Sequence, residues 1–340
     1  MTVDGASQGI THVAVTRAGG SGARTLNGIE LIHVGGASDG EFLQKGRIVA
    51  GAYDYALVRG KGENAGNWYL TNNGMSPEPG DNANSGDNAN SGDNANSGDN
   101  TNPGDNSHTG GTGGTGSSGG EGAPFTPDLR PEGGAYATNL AAANTLFLNR
   151  LHDRLGETHY VDALTGEERV TSLWMRHSGG HNRSRDGHGQ LSTQADRYVL
   201  LLGGDIARWN TTGDSRIHLG VMGGYANQKS RTRNHHVGYR ADGNIHGYSA
   251  GLYGTWLQDD ADKTGAYVDT WMLYNWFNNS VSGQSLDAES YNSKGLTASV
   301  ETGYTWKAGD KSSREGWYIQ PVAQLTWMGV KADEHYEANG

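Results

Sequence analysis

The residues best suited to chemistry in this 340-residue chain are His177, His181 and His188, in and beside the run SGGHNRSRDGHG. Neutral imidazoles are common metal ligands, so three of them could hold an ion. No carboxylate cluster accompanies them, and a stretch this rich in Gly, Ser and Arg also reads as a solvated hairpin loop. His235–His236 reads the same way. Asp205, Asp269 and Glu301 are the second candidate set. They fall on the small-or-polar face of their segments, where a carboxylate beside a histidine would be an acid–base pair. No Ser–His–Asp spacing, nucleophile elbow, phosphate loop or Walker motif supports catalysis. The chain has no Cys, which excludes a disulfide framework and thiolate metal sites. The expectation is no catalytic residue, no metal ligand, no cofactor and no enzyme activity.

The elements that would position such residues are strands. Segments of about ten residues alternate apolar with small or polar side chains, separated by turns rich in Gly, Asp, Asn and Ser. The clearest has Leu296, Ala298, Val300, Thr302, Tyr304 and Trp306 on one face and Thr297, Ser299, Glu301, Gly303 and Thr305 on the other. Seven strands are predicted, at about 172–179, 193–209, 214–229, 244–259, 264–282, 293–308 and 315–330. A soluble β-sandwich would also alternate. The length of these segments, and a small-or-polar face too poor in apolar residues for a second core, favour a transmembrane barrel, apolar outside and polar inside. Trp306, Trp317 and Trp327 fall near strand ends, where an interfacial aromatic girdle is expected. Mean hydropathy is −0.69 and no run of about 20 apolar residues exists. A barrel escapes both measures because only alternate residues are apolar.

Three other regions precede the strands. Residues 1–73 alternate over Ile10–Thr16, Ile29–Val34 and Ile48–Val58, with Asn67–Thr71 closing the region. Many short strands separated by Gly suggest a sandwich or the last rungs of a β-solenoid. Residues 74–134 are a low-complexity spacer, in which Gly-Asp-Asn-Ala-Asn-Ser recurs at 80–85, 86–91 and 92–97. No apolar residue larger than Ala recurs in these hexads, so stacked repeats would have almost nothing to bury. Residues 135–157 contain a helix over about 138–155, with Thr138 or Asn139 at its start and Gly156 at its end. Leu140, Leu148, Leu151 and Leu155 share one face, but Asn139, Asn144, Asn149, Arg150 and Asp153 make it too polar for lipid. A polar helix of roughly membrane length fits inside a water-filled barrel. Residues 165–340 are the barrel.

Net charge is −11, which argues against a nucleic-acid binder. The opening MTVDGASQGI lacks the basic and apolar regions of a signal peptide, so the chain is not expected to be exported as it stands and reads either as a piece of a longer precursor or as the product of a broken reading frame.

The chain resembles the autotransporters of Gram-negative bacteria, and among them the AIDA-type adhesin branch. The stretches that carry the resemblance are GAYDYALVRGKGENAGNWYL at 51–70, TNLAAANTLFLNRLHDRLGE at 138–157, SLWMRHSGG at 172–180, LGVMGGYANQKSRT at 219–232, GYSAGLYGTW at 247–256 and GLTASVETGY at 295–304. PEGGAYATN at 131–139, LGGDI at 202–206 and QPVAQLTWMGV at 320–330 fit as well. The resemblance implies a mainly β fold. In it, residues 1–73 are the autochaperone-like end of a passenger β-helix, 135–157 a linker helix threading the pore, and 165–340 a translocator barrel. Family barrels have about twelve strands, so the seven counted here imply a barrel truncated at its C-terminal end, with two strand edges left open. The implied function is an outer-membrane translocator that exports or displays an adhesin-like passenger at the cell surface. Two alternatives are a non-functional remnant of such a gene and an adhesin acting in attachment or biofilm formation. The implied partners are outer-membrane lipid, the barrel assembly machinery and periplasmic chaperones. Relatives that cleave between adjacent asparagines do so in the helix. Here Asn144 precedes Thr145 and Asn149 precedes Arg150, so that reaction is not expected.

Overall fold

The computed structural model describes residues 1–25, 28–73, 127–154, 158–161, 168–211, 213–259, 264–310 and 316–338. The hexad repeats lie outside these residues, as does Gly156.

The N-terminal region is built of stacked coils. Strand β1 (Thr2–Val3) pairs in parallel with β3 (Ile29–Val34), and β2 (Ile10–Val13) with β4 (Glu41–Gln44). A bridge joins Ser7 to Ser38, 31 residues on, and both parallel pairs keep that offset. One coil of chain therefore lies on the next. Strands β5 (Ile48–Ala50), β6 (Tyr53–Arg59) and β7 (Trp68–Thr71) then pair antiparallel, and β7 also runs antiparallel to β3. This change of direction closes the stack. Beneath it Ile32, Val34, Phe42, Leu57 and Trp68 form one apolar cluster, with Phe42 edge-on to Trp68 at 5.7 Å. At Gly51, φ +57°, the chain passes close against residues 21–22. A Cβ there would lie 1.8 Å from the Ser21 carbonyl oxygen.

Among the described residues one α-helix, α1, runs Pro131–Thr145. It starts seven residues before the expected position, because Pro131 occupies its first turn, where a missing N–H and a fixed φ do no harm. The last residues of the expected spacer thus belong to the helix. It also ends ten residues early. Beyond Thr145 the chain carries Leu146, Phe147 and Leu151 into buried contacts. Trp271 Nε1 (3.1 Å) and Gln324 Nε2 (3.1 Å) donate to the Asn149 carbonyl oxygen, taking the place of helical N–H groups.

A short hairpin, β8 (Thr158–Val161) with β9 (Glu168–Thr171), was not expected from the sequence. The large sheet follows as an antiparallel meander of β10 (Trp174–Arg185), β11 (Leu191–Asn210), β12 (Arg216–Asn234), β13 (Arg240–Leu257), β14 (Gly265–Gly283) and β15 (Glu289–Asp310). Its seventh member is split. Strand β16 (Gly316–Ile319) pairs with the end of β15, and β17 (Val322–Ala332) with its middle. The break falls at Gln320–Pro321, since Pro321 has no N–H to give the ladder. The sheet thus has the seven members expected. Several strands run further than expected on the side where α1 begins, and HNRSR, read as loop, is strand.

The outward face is apolar at mid-height. Leu219, Val221, Leu252, Met272, Val300 and Trp327 are all exposed there. Trp327 pairs with Ala298 near the middle of its strand, so it lies inside the apolar band and not in a girdle. Trp306 and Trp317 do reach a rim. On the opposite rim, register brings Tyr225, Tyr248 and Trp276 into one row, with ring centroids 5.3 and 6.5 Å apart. Trp209, Ile217 and Trp256 form another row. Eight residues of β12 separate Tyr225 from Ile217. That is about 26 Å along the strand and, at a tilt of about 40°, roughly 20 Å across a bilayer, close to the apolar band of an outer-membrane barrel.

Candidate functional site

The inward face of the sheet holds α1 and the segment that follows it. The helix presents a stripe of small residues, Ala135, Asn139, Ala142 and Ala143, all buried. These lie at helical spacing and allow close packing on β12, β13 and β14. Gly243 is part of the fit, because a Cβ there would meet Ser230 Oγ at 2.6 Å and the Ala135 Cβ at 3.3 Å. Asn139 Nδ2 donates to the carbonyl oxygens of Asn244 and Ser280, both at 3.3 Å. Asn144 Nδ2 donates to the Val330 carbonyl oxygen (3.1 Å), and Val330 N donates to Asn144 Oδ1 (3.0 Å). The polar residues that bar this helix from lipid are the ones that fix it to the sheet.

The inward face is not uniformly small and polar. Trp174, Leu201, Met222, Ile245, Trp271 and Phe277 pack in one cluster with Ala142, Ala143, Leu146 and Phe147. Phe147 stacks on Phe277 at 5.8 Å. The expectation of a water-filled interior with no second core is corrected, because these large side chains close on the chain that occupies it.

The three expected carboxylates gather at the inner end of this segment. Asp269 pairs across strands with Glu301. Asp269 also binds Arg154 and accepts from Thr255 Oγ1 at 2.6 Å. Glu301 accepts from Tyr267 Oη (2.9 Å) and from the Leu151 N–H (3.4 Å). Asp205 accepts from Tyr253 Oη (2.7 Å), meets His218 Nδ1 at 2.9 Å and pairs with Arg208 at 2.8 Å. The Arg154 guanidinium lies over the Tyr253 ring, 4.6 Å from its centroid, and so links the two groups. Arg154 carries the connection that spacing could not show, since 115 residues separate it from Asp269.

Gln324 reaches the Asn149 carbonyl, as noted, and Gln320 lines a cavity of about 450 Å³ with Leu151, His152 and Tyr267. Both residues thus meet the segment that follows α1. Thr326 faces Ser299 across the strands. His177 and His181 stand exposed on β10, where His181 pairs with Asp196 at 2.6 Å. His188, His235 and His236 lie in turns. Among the described residues, no group of three metal-ligating side chains forms.

At the other end of α1 lies a cluster the sequence gave no sign of. Arg47, from the solenoid, sits between Asp54 (2.6 Å) and Glu132 of the helix (2.6 Å), and all three are almost fully buried. Its guanidinium also lies 4.5 Å from the centroid of the Tyr239 ring, in a turn of the large sheet. Arg130 pairs with Glu132 (3.2 Å) and Glu337 (2.8 Å) and donates to the Gly51 carbonyl oxygen (3.0 Å). A bridge between Tyr53 and Leu129 continues the contact. Burial would lower the Arg47 pKa, but hydrogen bonds to Asp54 and Glu132 outweigh it and hold the charge. Burial pushes the Asp54 carboxyl up, with Arg47 pulling the other way. Solenoid, helix and sheet thus meet through paired charges.

Comparison with known proteins agrees with this architecture. Residues 173–340 match the family described as Autotransporter beta-domain, and residues 1–57 match Autochaperone Domain Type 1. The chain is 51% identical over 346 residues to the uncharacterized protein YdeU of Escherichia coli (strain K12), covering all of this chain and 68% of that protein. It is 36% identical over 347 residues to the autotransporter adhesin AIDA-I of Escherichia coli, covering 23% of it. It likewise spans 23% of the uncharacterized protein YuaQ of Escherichia coli (strain K12), at 52% identity. The crystal structure of the transport unit of AIDA-I superposes with a TM-score of 0.56 at 40% identity, over 63% of this chain and 66% of that one. A meander that is apolar outside, a single helix along its inner face and a solenoid end at the mouth fit these matches in both order and extent. The chain belongs to the autotransporter family, and its β-domain is that of an outer-membrane translocator.

Proposed function

We propose that this chain anchors in the outer membrane and exports or displays an adhesin-like passenger ahead of it. In this reading residues 1–73 are the passenger's folded end, residues 74–134 the spacer that threads the barrel, and α1 with residues 146–154 the plug left in the pore. The observation that carries it is the placement of α1. The helix lies along the inward face, and its N-terminal end is joined by Arg130 and Glu132 to the solenoid at one mouth. A hairpin of passenger would pass through first, and the helix would settle last as its small stripe met Gly243 and Asn139 found its carbonyls. Insertion is assigned to the barrel assembly machinery and delivery to periplasmic chaperones, on the strength of family membership alone. Surface attachment would belong to passenger sequence preceding this solenoid end.

The test places an export signal and an epitope ahead of Thr2 and treats intact cells with protease. Loss of the epitope while the β-domain survives supports display at the surface. An epitope cut only after the membrane is broken rejects it.

A further inference from the structure

At the end of the sheet nearest the N-terminal coils, the chain ahead of α1 is held by its main chain. Residues 127–130 run extended between those coils and two turns of the sheet, and alternation divides their hydrogen bonds between two edges. Toward the coils, Asp128 N donates to the Asn72 carbonyl oxygen (2.9 Å), Arg130 N to that of Ala52 (2.9 Å), and Asp54 N to that of Asp128 (3.0 Å). On the other edge stand two side-chain amides. Gln190, from the turn between β10 and β11, accepts from Leu129 N through Oε1 (2.6 Å) and donates through Nε2 to the Pro127 carbonyl oxygen (3.0 Å). Asn234, the last residue of β12, donates through Nδ2 to the Leu129 carbonyl oxygen (2.6 Å). Both amides are fully buried. Their remaining bonds are made within the turns of the sheet. Asn234 Oδ1 accepts from His236 N (2.7 Å) and Val237 N (3.2 Å), which leaves Nδ2 aimed at the segment. Asn234 Nδ2 also meets Gln190 Oε1 at 3.4 Å, and Gln190 Nε2 lies 3.1 Å from His236 Nδ1. Each amide nitrogen therefore has two partners and each amide oxygen two, which is the full capacity of the group. No donor or acceptor is left over to read a side chain.

We propose that Gln190 and Asn234 form a docking site for extended polypeptide that recognises the main chain and is blind to the side chains at 127 and 129. Its use on exported chain rests on the export reading. The pair takes the place of a neighbouring strand. It needs one N–H and two carbonyl groups along one edge, which any extended segment without proline at the Leu129 position supplies. The site is organised in advance, because the turn contacts that aim the two amides belong to the sheet and not to the segment. Side-chain specificity is supplied next door by Arg130 and Glu132, which enter the buried charge cluster with Arg47. The passenger end can thus dock at the mouth with different residues at these two positions.

The experiment folds the whole chain in detergent micelles and follows hydrogen exchange over residues 128–130 by mass spectrometry. The N–H groups of Asp128 and Arg130 report docking from the opposite edge. In the double variant P127S/L129T, exchange is expected to stay within about twofold of the parent. Asn234→Asp keeps the oxygen that closes the turn and loses the donated N–H, and exchange is expected to quicken by about fivefold or more. Gln190→Met is expected to act in the same direction. Loss of protection in P127S/L129T overturns the proposal, because the site would then read side chains, and it does so whether or not the amide variants fold. Unchanged exchange in both amide variants also overturns it, because the segment would then be held by the coils alone. Exchange does not depend on export. A passenger that fails to reach the surface therefore rejects the export reading while the dock stands, and a displayed passenger whose docking follows the side chains at 127 and 129 rejects the dock alone.

Discussion

Arg47 and Glu132, 85 residues apart in the chain, meet through two hydrogen bonds of 2.6 and 2.9 Å. Asp54 occupies the rest of the same guanidinium, at 2.6 and 2.8 Å. A charge buried this deeply is tolerable only with such partners. The pair ties the folded end of the solenoid to the first turn of the helix. The stability of each is thereby coupled to the other.

Arg47→Met is therefore expected to leave two buried carboxylates facing one another and to cost about 3–5 kcal/mol. Arg47→Lys recovers only part of this, because an ammonium cannot pair with both acids in parallel. Urea unfolding of the solenoid region, followed by protease sensitivity, measures both. A loss below about 1 kcal/mol for the methionine variant would show that the cluster is solvated and the coupling absent.

Asp54 gives this junction a pH dependence. Its carboxyl titrates above the usual range because it is buried. An acid raised in the folded state favours the fold most below its unfolded pKa, near 4, and loses that contribution as pH rises through the folded value. Asp54→Asn removes the titration. The stability advantage of the parent over this variant should be larger at pH 4 than at pH 7, measured by urea midpoints. An advantage that grows toward neutrality contradicts the assignment.

Arg154 and Asp269 are buried partners inside the sheet. Leucine at either position alone is expected to destabilise by about 3–5 kcal/mol, since the other charge is left unpaired. The double variant should lose clearly less than the sum of the two. A double-mutant cycle with no coupling energy would falsify the direct pairing.

The packing of α1 gives a third kind of test. Ala135 is fully buried, and Gly243 faces it with no space for a further methyl group. Ala135→Phe should prevent the helix from seating and cost about 1–3 kcal/mol. The chain has no Cys, so a single Cys at Ala142 reports seating through its access to a water-soluble thiol reagent. Labelling should be slow in the parent background and fast with the phenylalanine. Equal rates would mean that the helix does not rest on this face.

The outward band is tested by charge. Leu252 is about half exposed at mid-height. Leu252→Arg should cost about 2–4 kcal/mol in a bilayer, and Asn227→Arg, just past the aromatic row, about 0–1. Reversible urea unfolding in vesicles measures the difference. Similar values at both positions would place the band elsewhere.

The sequence alone determined the seven members of the sheet, because each strand must satisfy two different environments and the alternation records them residue by residue. The β15 pattern places Thr297, Ser299 and Glu301 inside and Leu296, Val300 and Tyr304 outside, as its spacing requires. It also determined that one helix precedes the sheet and is too polar for lipid. Tertiary structure decided where that helix stops, since Trp271 and Gln324 satisfy the Asn149 carbonyl from more than a hundred residues away. It decided which aromatics form the girdle, because Tyr225, Tyr248 and Trp276 become neighbours only once hairpin register is fixed. It moved Trp327 from the expected rim to mid-height for the same reason. Above all, it brought Arg47 to Glu132 and Arg154 to Asp269. Local patterning records the solvent that each side chain meets. It carries no information on which distant charge will be buried beside it, and pairing across so many residues is set by the closure of the fold.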